Sequence, residues 1–325
     1  MNLLKRLSAT DVSLSGIFLA GFLLLAVTSG GTLLTGQSLQ SFFTYLAIPI
    51  LIGLAQMVVL SIGQMNLAVG AMGGAATAIM AVAMTEGGLP IWLALLVGFL
   101  SATAMGAVNG ALVVMTNLNG FIITLGTMTI LLGVQYSLVR SFTIDSYSEA
   151  LKGFGRLGLG PIPYIFLISI LTATVLAFFF NRSAPGRRIL ATGGNDTAAR
   201  LSGISNKRSV FLAHTISGML LGVAAIVTIS SLGGINRSIG GDWLLLSFAA
   251  PIIGGVLMSG GTVAIYGTVM AAGVIRLVDI ARAEYSLDPS VVSFTIGIVV
   301  LSTVTLSEWR RRRSEVLRQG RKVLE

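Results

Sequence analysis

The feature that most constrains this chain is a series of apolar runs, each about as long as a lipid bilayer is thick. A helix needs around 20 apolar residues to cross roughly 30 Å of hydrocarbon, and fewer where the bilayer thins. Only 10% of the residues are charged, against about 25% in a soluble domain, so these side chains cannot cover a water-soluble surface. The runs therefore predict an all-α, polytopic transmembrane bundle. Ten of them qualify as spans, at 14–33, 42–62, 67–84, 89–115, 121–139, 163–180, 210–232, 243–258, 263–280 and 291–306.

The positions of Lys and Arg predict how this bundle is oriented. Ten spans place both termini on one side, together with the hydrophilic loop 181–209 between the sixth and seventh spans. That side carries fifteen Lys and Arg and the other side only four. Because cytoplasmic segments carry the excess of positive charge, we expect the termini, the loop 181–209 and the basic tail 308–325 to be cytoplasmic. The first run lacks a convincing small-x-small cleavage site, so we expect a retained span rather than a signal peptide.

The composition excludes several kinds of functional site. The chain has no Cys and one His, so it offers neither thiolate ligands nor a His cluster for zinc, and we expect a structural role for His214. It has no paired intramembrane acids and no Gly-x-Ser-x-Gly sequence, so we predict no catalytic residue. The basic tail fits lipid headgroups better than nucleic acid.

Charged residues inside the spans are rare. Arg276 and Asp279, three residues apart in the ninth span, are the exceptions, and they can pair on one helix face. Carriers driven by protons or sodium use carboxylates near the midplane, and the first eight spans show none. This pattern disfavours an ion-gradient-driven secondary transporter but leaves it as an alternative.

Neutral polar residues inside the spans are candidates for a solute path. Amides and hydroxyls suit a neutral, hydroxyl-rich solute, although they also suit hydrogen bonds between helices. The stretch 61–70 places Gly, Gln and Asn between two apolar runs, and it predicts a break that only protein or a water-filled cavity can accommodate. The residues that we assign to the solute path are Gln64, Asn66, Asn109 and Thr127.

Glycines at GxxxG spacing predict that the spans pack closely. In lipid, small residues allow helix backbones to approach one another, because hydrophobicity supplies no force between helices. Three such pairs occur, at Gly70/Gly74, Gly106/Gly110 and Gly218/Gly222.

The loop 181–209 contains six Lys and Arg and one acid, and it carries the pattern of a short helix. Gly193 and Gly194 precede the helix, Asn195 or Asp196 can cap its start, and Gly203 supplies a stop. A helix of about two turns is not stable alone, so docking against a partner would stabilise it.

The residues of this loop resemble a known family. The segment 186–204 (GRRILATGGNDTAARLSGI) resembles the coupling loop of ribose-type permeases, the membrane subunits of bacterial ATP-binding-cassette sugar importers. Three other stretches agree in order: 119–127 resembles the family's Phe-Ile-x-Thr-Leu segment, 253–261 its Gly-Gly-x-x-x-x-Gly-Gly region, and 61–70 occupies the place of its Gly-Gly-Ile-Asp-Leu-Ser-Val-Gly motif. Here Gln64 replaces a Gly of that motif and Asn66 replaces the Asp, which leaves open a different solute path.

The resemblance implies a single transmembrane permease domain, 1–325, in the bacterial inner membrane. It implies a pore made with a second permease subunit, the same or homologous, with a cassette ATPase beneath each subunit and a soluble binding protein that delivers a sugar, polyol or related neutral solute. Permeases for branched-chain amino acids are an alternative within related architecture. The chain has no Walker-type sequence, so ATP and Mg are expected in the partner ATPase, and no cofactor or metal in this chain. The residues that we assign to ATPase coupling are Gly194, Asn195, Asp196, Ala198, Ala199, Arg200, Leu201, Ser202 and Gly203.

Overall fold

The computed structural model describes residues 9–140, 143–144 and 148–286, and the isolated positions 288, 290, 294, 297–298, 301–302 and 305. The basic tail 308–325 and most of the predicted tenth span, 291–306, lie outside the described residues. The regular structure of the described residues consists of α-helices, one short 3-10 helix (Thr32–Leu34) and four two-residue strands, joined by loops. Its helices are α1 (Ala9–Thr28), α2 (Gly36–Leu60), α3 (Val69–Thr85), α4 (Ile91–Thr116), α5 (Gly120–Leu138), α6 (Glu149–Arg156), α7 (Tyr164–Arg182), α8 (Ala184–Gly194), α9 (Asp196–Leu201), α10 (Asn206–Ser231), α11 (Trp243–Ile253) and α12 (Ile265–Glu284).

The prediction of an all-α membrane bundle is confirmed. Among the described residues, six helices are long and apolar enough to cross a membrane, namely α1, α2, α4, α5, α7 and α10. Two of the other predicted spans are shorter apolar helices, α3 and α11. The span predicted over 243–258 is helical only to Ile253, because Gly254 and Gly255 end α11, and non-helical backbone follows to residue 264. The count of ten spans stays a prediction.

Helix α2 is the most deeply buried of the long helices. It packs against α7, α10, α11 and α12, and nearly all of its second half is buried. Helix α1 instead packs mainly on α12 and exposes large apolar side chains, such as Leu24 and Val27. Exposed apolar side chains on a bilayer-length helix are the expected lipid-facing surface.

Glycines set the close approach of the antiparallel helices α4 and α10, which confirms the close packing predicted from the GxxxG pairs. A Cβ on Gly106 would lie 2.9 Å from the Cα of Gly218, and one on Gly222 would lie 2.8 Å from the ring of Phe99. Such distances leave no space for a side chain, so the two backbones are in direct contact.

On the side away from the loop 181–209, short elements cover the bundle. Strand β1 (Thr143–Ile144) pairs with β4 (Ile235–Asn236), and β2 (Gly158–Leu159) pairs with β3 (Ile162–Pro163). The chain after β4 reaches inward until Gly240 contacts Gly70 of α3. Gln135 of α5 holds this segment by donating to the carbonyl oxygens of Arg237 (3.2 Å) and Ile239 (2.9 Å).

Helix α6 lies on this same side and is amphipathic. Its Lys152 Nζ donates to Glu149 at 2.9 Å, and this contact lowers the pKa of the Glu149 carboxyl below its ordinary value. Because Glu149 is solvent-exposed, the pair adds little to stability.

Candidate functional site

The predicted break between α2 and α3 is present at residues 61–68, and neighbouring side chains satisfy its backbone. With its amide oriented to give both atoms partners, Gln56 donates to the carbonyl oxygen of Asn66 (2.9 Å) and accepts from its N–H (3.2 Å). Thr124 Oγ1 accepts from the N–H of Leu67 at 3.0 Å, and Asn66 Oδ1 accepts from the N–H of Ala68 at 2.9 Å. Irregular backbone at membrane depth is tolerated when protein supplies such partners.

His214 connects the break to α10. Its Nε2 lies 3.0 Å from Gln64 Oε1, and because an amide oxygen only accepts, the imidazole donates from Nε2. The ring is fully buried, and its Nδ1 has no partner among the described residues. Gln64 is therefore held against α10 by a partly buried hydrogen bond, consistent with the structural role expected for His214.

Two of the four predicted solute-path residues meet at one sulfur atom. The Nδ2 atoms of Asn66 and Asn109 lie 3.7 Å and 3.6 Å from Met72 Sδ, and Asn66 Nδ2 is also 3.4 Å from Ser217 Oγ. Both asparagines are buried within the chain. These contacts to α3 and α10 are hydrogen bonds between segments of the bundle, which is the alternative role that the sequence left open for neutral polar residues. The assignment of both asparagines to a solute path stays a prediction.

The remaining two predicted solute-path residues are partly accessible. Thr127 lies on α5 and donates to the carbonyl oxygen of Thr124 at 3.2 Å. Gln64 contacts the start of α5, since a Cβ on Gly120 would lie 2.7 Å from Gln64 Oε1. The structure thus gathers Gln64, Asn66 and Asn109 around the break, whereas Thr127 lies along α5.

Three segments that each contain glycine meet at the start of the break. We call this contact the glycine junction, formed by residues 61–63, 193–194 and 259–261. The N–H of Gly261 donates to the carbonyl oxygen of Ser61 at 2.8 Å. A Cβ on Gly193 would lie 2.7 Å from the Gly261 nitrogen, and a Cβ on Gly260 would lie 2.8 Å from the Gly193 carbonyl oxygen. The loop 181–209 is therefore in backbone contact with both irregular segments of the bundle.

The short helix predicted in the loop 181–209 is α9, and its predicted cap and stop are correct. Asn195 Oδ1 accepts from the N–H of Ala198 at 2.9 Å, and Gly203 adopts φ of +77° beyond the helix end. The sequence pattern does not predict the preceding helix α8, which ends in Gly193 and Gly194, because glycine disfavours a helix interior. Helices α8 and α9 together make the loop a compact helical hairpin.

Most of the predicted coupling residues lie on the outside of this hairpin. Leu201 is 86% exposed, whereas Ala199 is buried against the hairpin. Asp196 pairs with Arg200 at 3.2 Å on the exposed face. The other assigned residues, Gly194, Asn195, Ala198, Ser202 and Gly203, are exposed. Leu201 and the polar side chains around it are therefore accessible to a partner protein.

Sequence reasoning missed the residues that form the junction and clamp the break. Ser61, Gly193 and Gly261 are far apart in the chain, and only the tertiary contact identifies them. Gln56 is a polar residue within an apolar run, but the sequence does not show which group it contacts. No cluster of His, Cys, Asp and Glu that could hold a metal occurs in the part of the chain that the structure describes.

Comparison with known proteins identifies the family. The chain matches the family model described as the permease component of the branched-chain amino acid transport system over residues 38–304. The chain belongs to this permease family. The permease is 27% identical to the fructose import permease of Rhizobium meliloti over 303 residues, covering 89% of this chain and 84% of the relative.

Two further relatives support the same assignment. The permease is 30% identical to the D-allose transport system permease of Escherichia coli K12 over 246 residues, covering 76% of each chain. It is 29% identical to an autoinducer 2 import system permease of Enterobacter sp. strain 638 over 279 residues, covering 84% of this chain and 79% of the relative. No solved structure matches the permease. The family assignment and the apolar helices together show that the permease is a multi-pass inner-membrane protein. Its relatives are transport components and not enzymes.

Proposed function

We propose that the permease forms the translocation path of an ATP-binding-cassette importer for a sugar, polyol or related neutral solute. Three of its relatives carry fructose, D-allose and autoinducer 2 in their names, and the described polar side chains around the break are amides, hydroxyls and one imidazole, with no carboxylate, Lys or Arg among them. The family model is named for branched-chain amino acids. A zwitterion would favour fixed charges, and Gln64, Asn66, Asn109 and Thr127, which we retain as the path residues, have none.

The partners in this proposal are a cassette ATPase, a second permease subunit and a soluble binding protein. ATP and Mg belong to the ATPase. The chain acts as one domain, 1–325, with ten spans and both termini in the cytoplasm, which places the loop 181–209 on the ATPase side.

One observation carries the coupling proposal. Helix α9 presents an exposed Leu201 at its tip, while the same hairpin contacts the break through Gly193. Only Asn195 separates α8 from α9, so a displacement of α9 by the ATPase acts through α8 on the end of α2 and on the 254–264 segment. Such a rigid connection allows ATP binding to bias the bundle between two arrangements.

Substitution of Leu201 by Glu tests the coupling role. We expect the variant to insert normally but to lose copurification with the ATPase and ATP-dependent uptake, because a charge replaces the apolar contact. The matched control is Leu159→Glu, which changes an exposed leucine of β2 on the opposite side and should keep the ATPase bound. Unchanged uptake in Leu201→Glu would contradict the proposal.

Competition assays in the assembled importer test the solute class. Uptake of labelled fructose or D-allose that excess leucine does not reduce is the expected result. Uptake of leucine that sugars do not reduce would favour the amino-acid alternative, and uptake that persists without the ATPase would favour a secondary transporter.

A further inference from the structure

A cavity of about 330 Å³ lies between α1, α2 and α12, at the end of α12 far from the glycine junction. Its walls carry four hydroxyl side chains and two charged side chains, Ser29, Thr32, Ser38, Ser41, Arg276 and Glu284. The path residues and the break are elsewhere in the bundle, so the proposed transport function does not account for this cavity.

Arg276 has hydrogen-bonding capacity that its neighbours leave unused. Its guanidinium carbon lies 5.0 Å from the centroid of the Tyr45 ring, a cation–π contact that uses none of its N–H donors. Its contact with Asp279 is long, at 4.0 Å, and its buried Nε–H donates to no atom among the described residues. A guanidinium has five donors in a fixed geometry that matches phosphate and carboxylate oxygens. Arg276 is thus prepared to bind an anionic group from outside the chain.

The cavity also has a defined charge order. Arg276 and Glu284 lie eight residues apart on α12, a rise of roughly 12 Å along the helix, with Glu284 at the exposed end. Asp279 offsets part of the charge of Arg276 from within α12, and the remaining lining side chains are neutral. An occupant therefore meets a cation inside and a carboxylate at the rim, which fits a zwitterion better than a simple anion.

The position of the cavity points to a lipid as its occupant. One wall is α1, whose apolar side chains face outward: Leu24 is 64% exposed and Val27 78%. Both residues lie near the end of α1 that borders the cavity. The opening is thus at the boundary between protein and bilayer, near the helix ends where headgroups lie.

We propose that this cavity binds the headgroup of a phospholipid of the phosphatidylethanolamine type. Phosphate oxygens accept hydrogen bonds from Arg276, and the primary ammonium donates to Glu284 and to neighbouring hydroxyls. A choline headgroup has no N–H to donate, and a glycerol headgroup has no cation for Glu284. This proposal is independent of which solute the permease transports.

Native mass spectrometry of the full-length permease, released from nanodiscs of equal mole fractions of phosphatidylethanolamine, phosphatidylcholine and phosphatidylglycerol, tests this site. The wild type should retain phosphatidylethanolamine preferentially. Arg276→Gln should reduce that adduct roughly tenfold, since a hydrogen bond to a charged group contributes about that factor. The matched control is Arg282→Gln on the same helix, which lies outside the cavity lining and should bind like the wild type.

Glu284→Gln tests the other half of the site with little risk to folding, because Glu284 is exposed. It should keep a phospholipid adduct but lose the preference for ethanolamine over choline. Equal binding by wild type and Arg276→Gln, an equal loss in Arg282→Gln, or an unchanged preference in Glu284→Gln would each overturn the proposal. Displacement of the lipid by millimolar phosphoethanolamine alone would assign the cavity to a soluble phosphate ester and overturn the lipid assignment.

Discussion

Replacing Gly193 by Ala is the sharpest perturbation of the glycine junction. The added methyl would collide with the carbonyl oxygen of Ser61, and it would lie 2.7 Å from the Gly261 nitrogen and 2.9 Å from the Ile62 Cα. All three atoms belong to backbone, so no side chain can rotate away. The contact must open, and the hydrogen bond from Gly261 to Ser61 lengthens with it.

The expected cost follows from the packing of the junction. Forcing an extra methyl into a well-packed contact costs about 1–3 kcal/mol, which corresponds to a change of roughly 5–150-fold in an equilibrium. If the junction transmits the motion of α9, this cost destabilises the arrangement of the bundle in which the junction is closed. We expect ATP-dependent uptake to fall at least about fivefold, while the ATPase still copurifies through α9.

Gly133 of α5 supplies a control outside the junction and the loop 181–209. A Cβ on Gly133 would meet no atom within 4 Å, so Gly133→Ala should transport like the wild type. The assay compares uptake and ATP hydrolysis in proteoliposomes that contain the permease, the ATPase and the binding protein. Normal uptake in Gly193→Ala, or equal losses in both variants, would refute the role of the junction. Loss of the ATPase from the purified complex would indicate a folding defect instead.

The remaining predictions concern the break and the helix packing. Gln56→Leu leaves the N–H and C=O of Asn66 without partners, at a cost of about 1–3 kcal/mol for each. The substitution should lower the melting temperature of the purified permease, and an unchanged melting temperature would contradict the role of Gln56 in holding the break. Gly106→Leu should greatly reduce the yield of folded protein because α4 and α10 must separate, whereas Gly126→Leu, with no atom within 4 Å, should not. His214→Leu introduces a side chain of similar size but removes the bond to Gln64, and it should destabilise the permease by roughly 1–3 kcal/mol in a thermal denaturation assay. Unaltered stability would show that this bond is dispensable.

The sequence predicts local features of the permease better than long-range contacts. Asn195 as a cap and Gly203 as a stop follow from the backbone needs of one helix, and the structure has both. The break at 61–68 was likewise predictable, because Gly, Gln and Asn interrupt an apolar run. Helix α8 is not predicted, because two consecutive glycines normally indicate the end of a helix. In the structure they form its last turn, where Gly193 packs against Ser61 and Gly261.

The contacts between distant segments required the structure. Nothing local in Ser61 or Gly193 indicates that these residues touch, because a glycine shows only that space is short and not which group fills it. For the same reason the polar residues of the spans left two interpretations open. The partners of Asn66 and Asn109 then proved to be Met72 and Ser217, within the chain.

The most direct test of the central claim uses one cysteine at the tip of α9. The chain has no native Cys, so Leu201→Cys provides a single reactive thiol at a side chain that is 86% exposed. In intact cells a membrane-impermeant maleimide should not label it, whereas inside-out vesicles stripped of the ATPase should be labelled, and adding the ATPase back should protect the thiol. Labelling from the outside of intact cells, or no protection by the ATPase, would contradict the account.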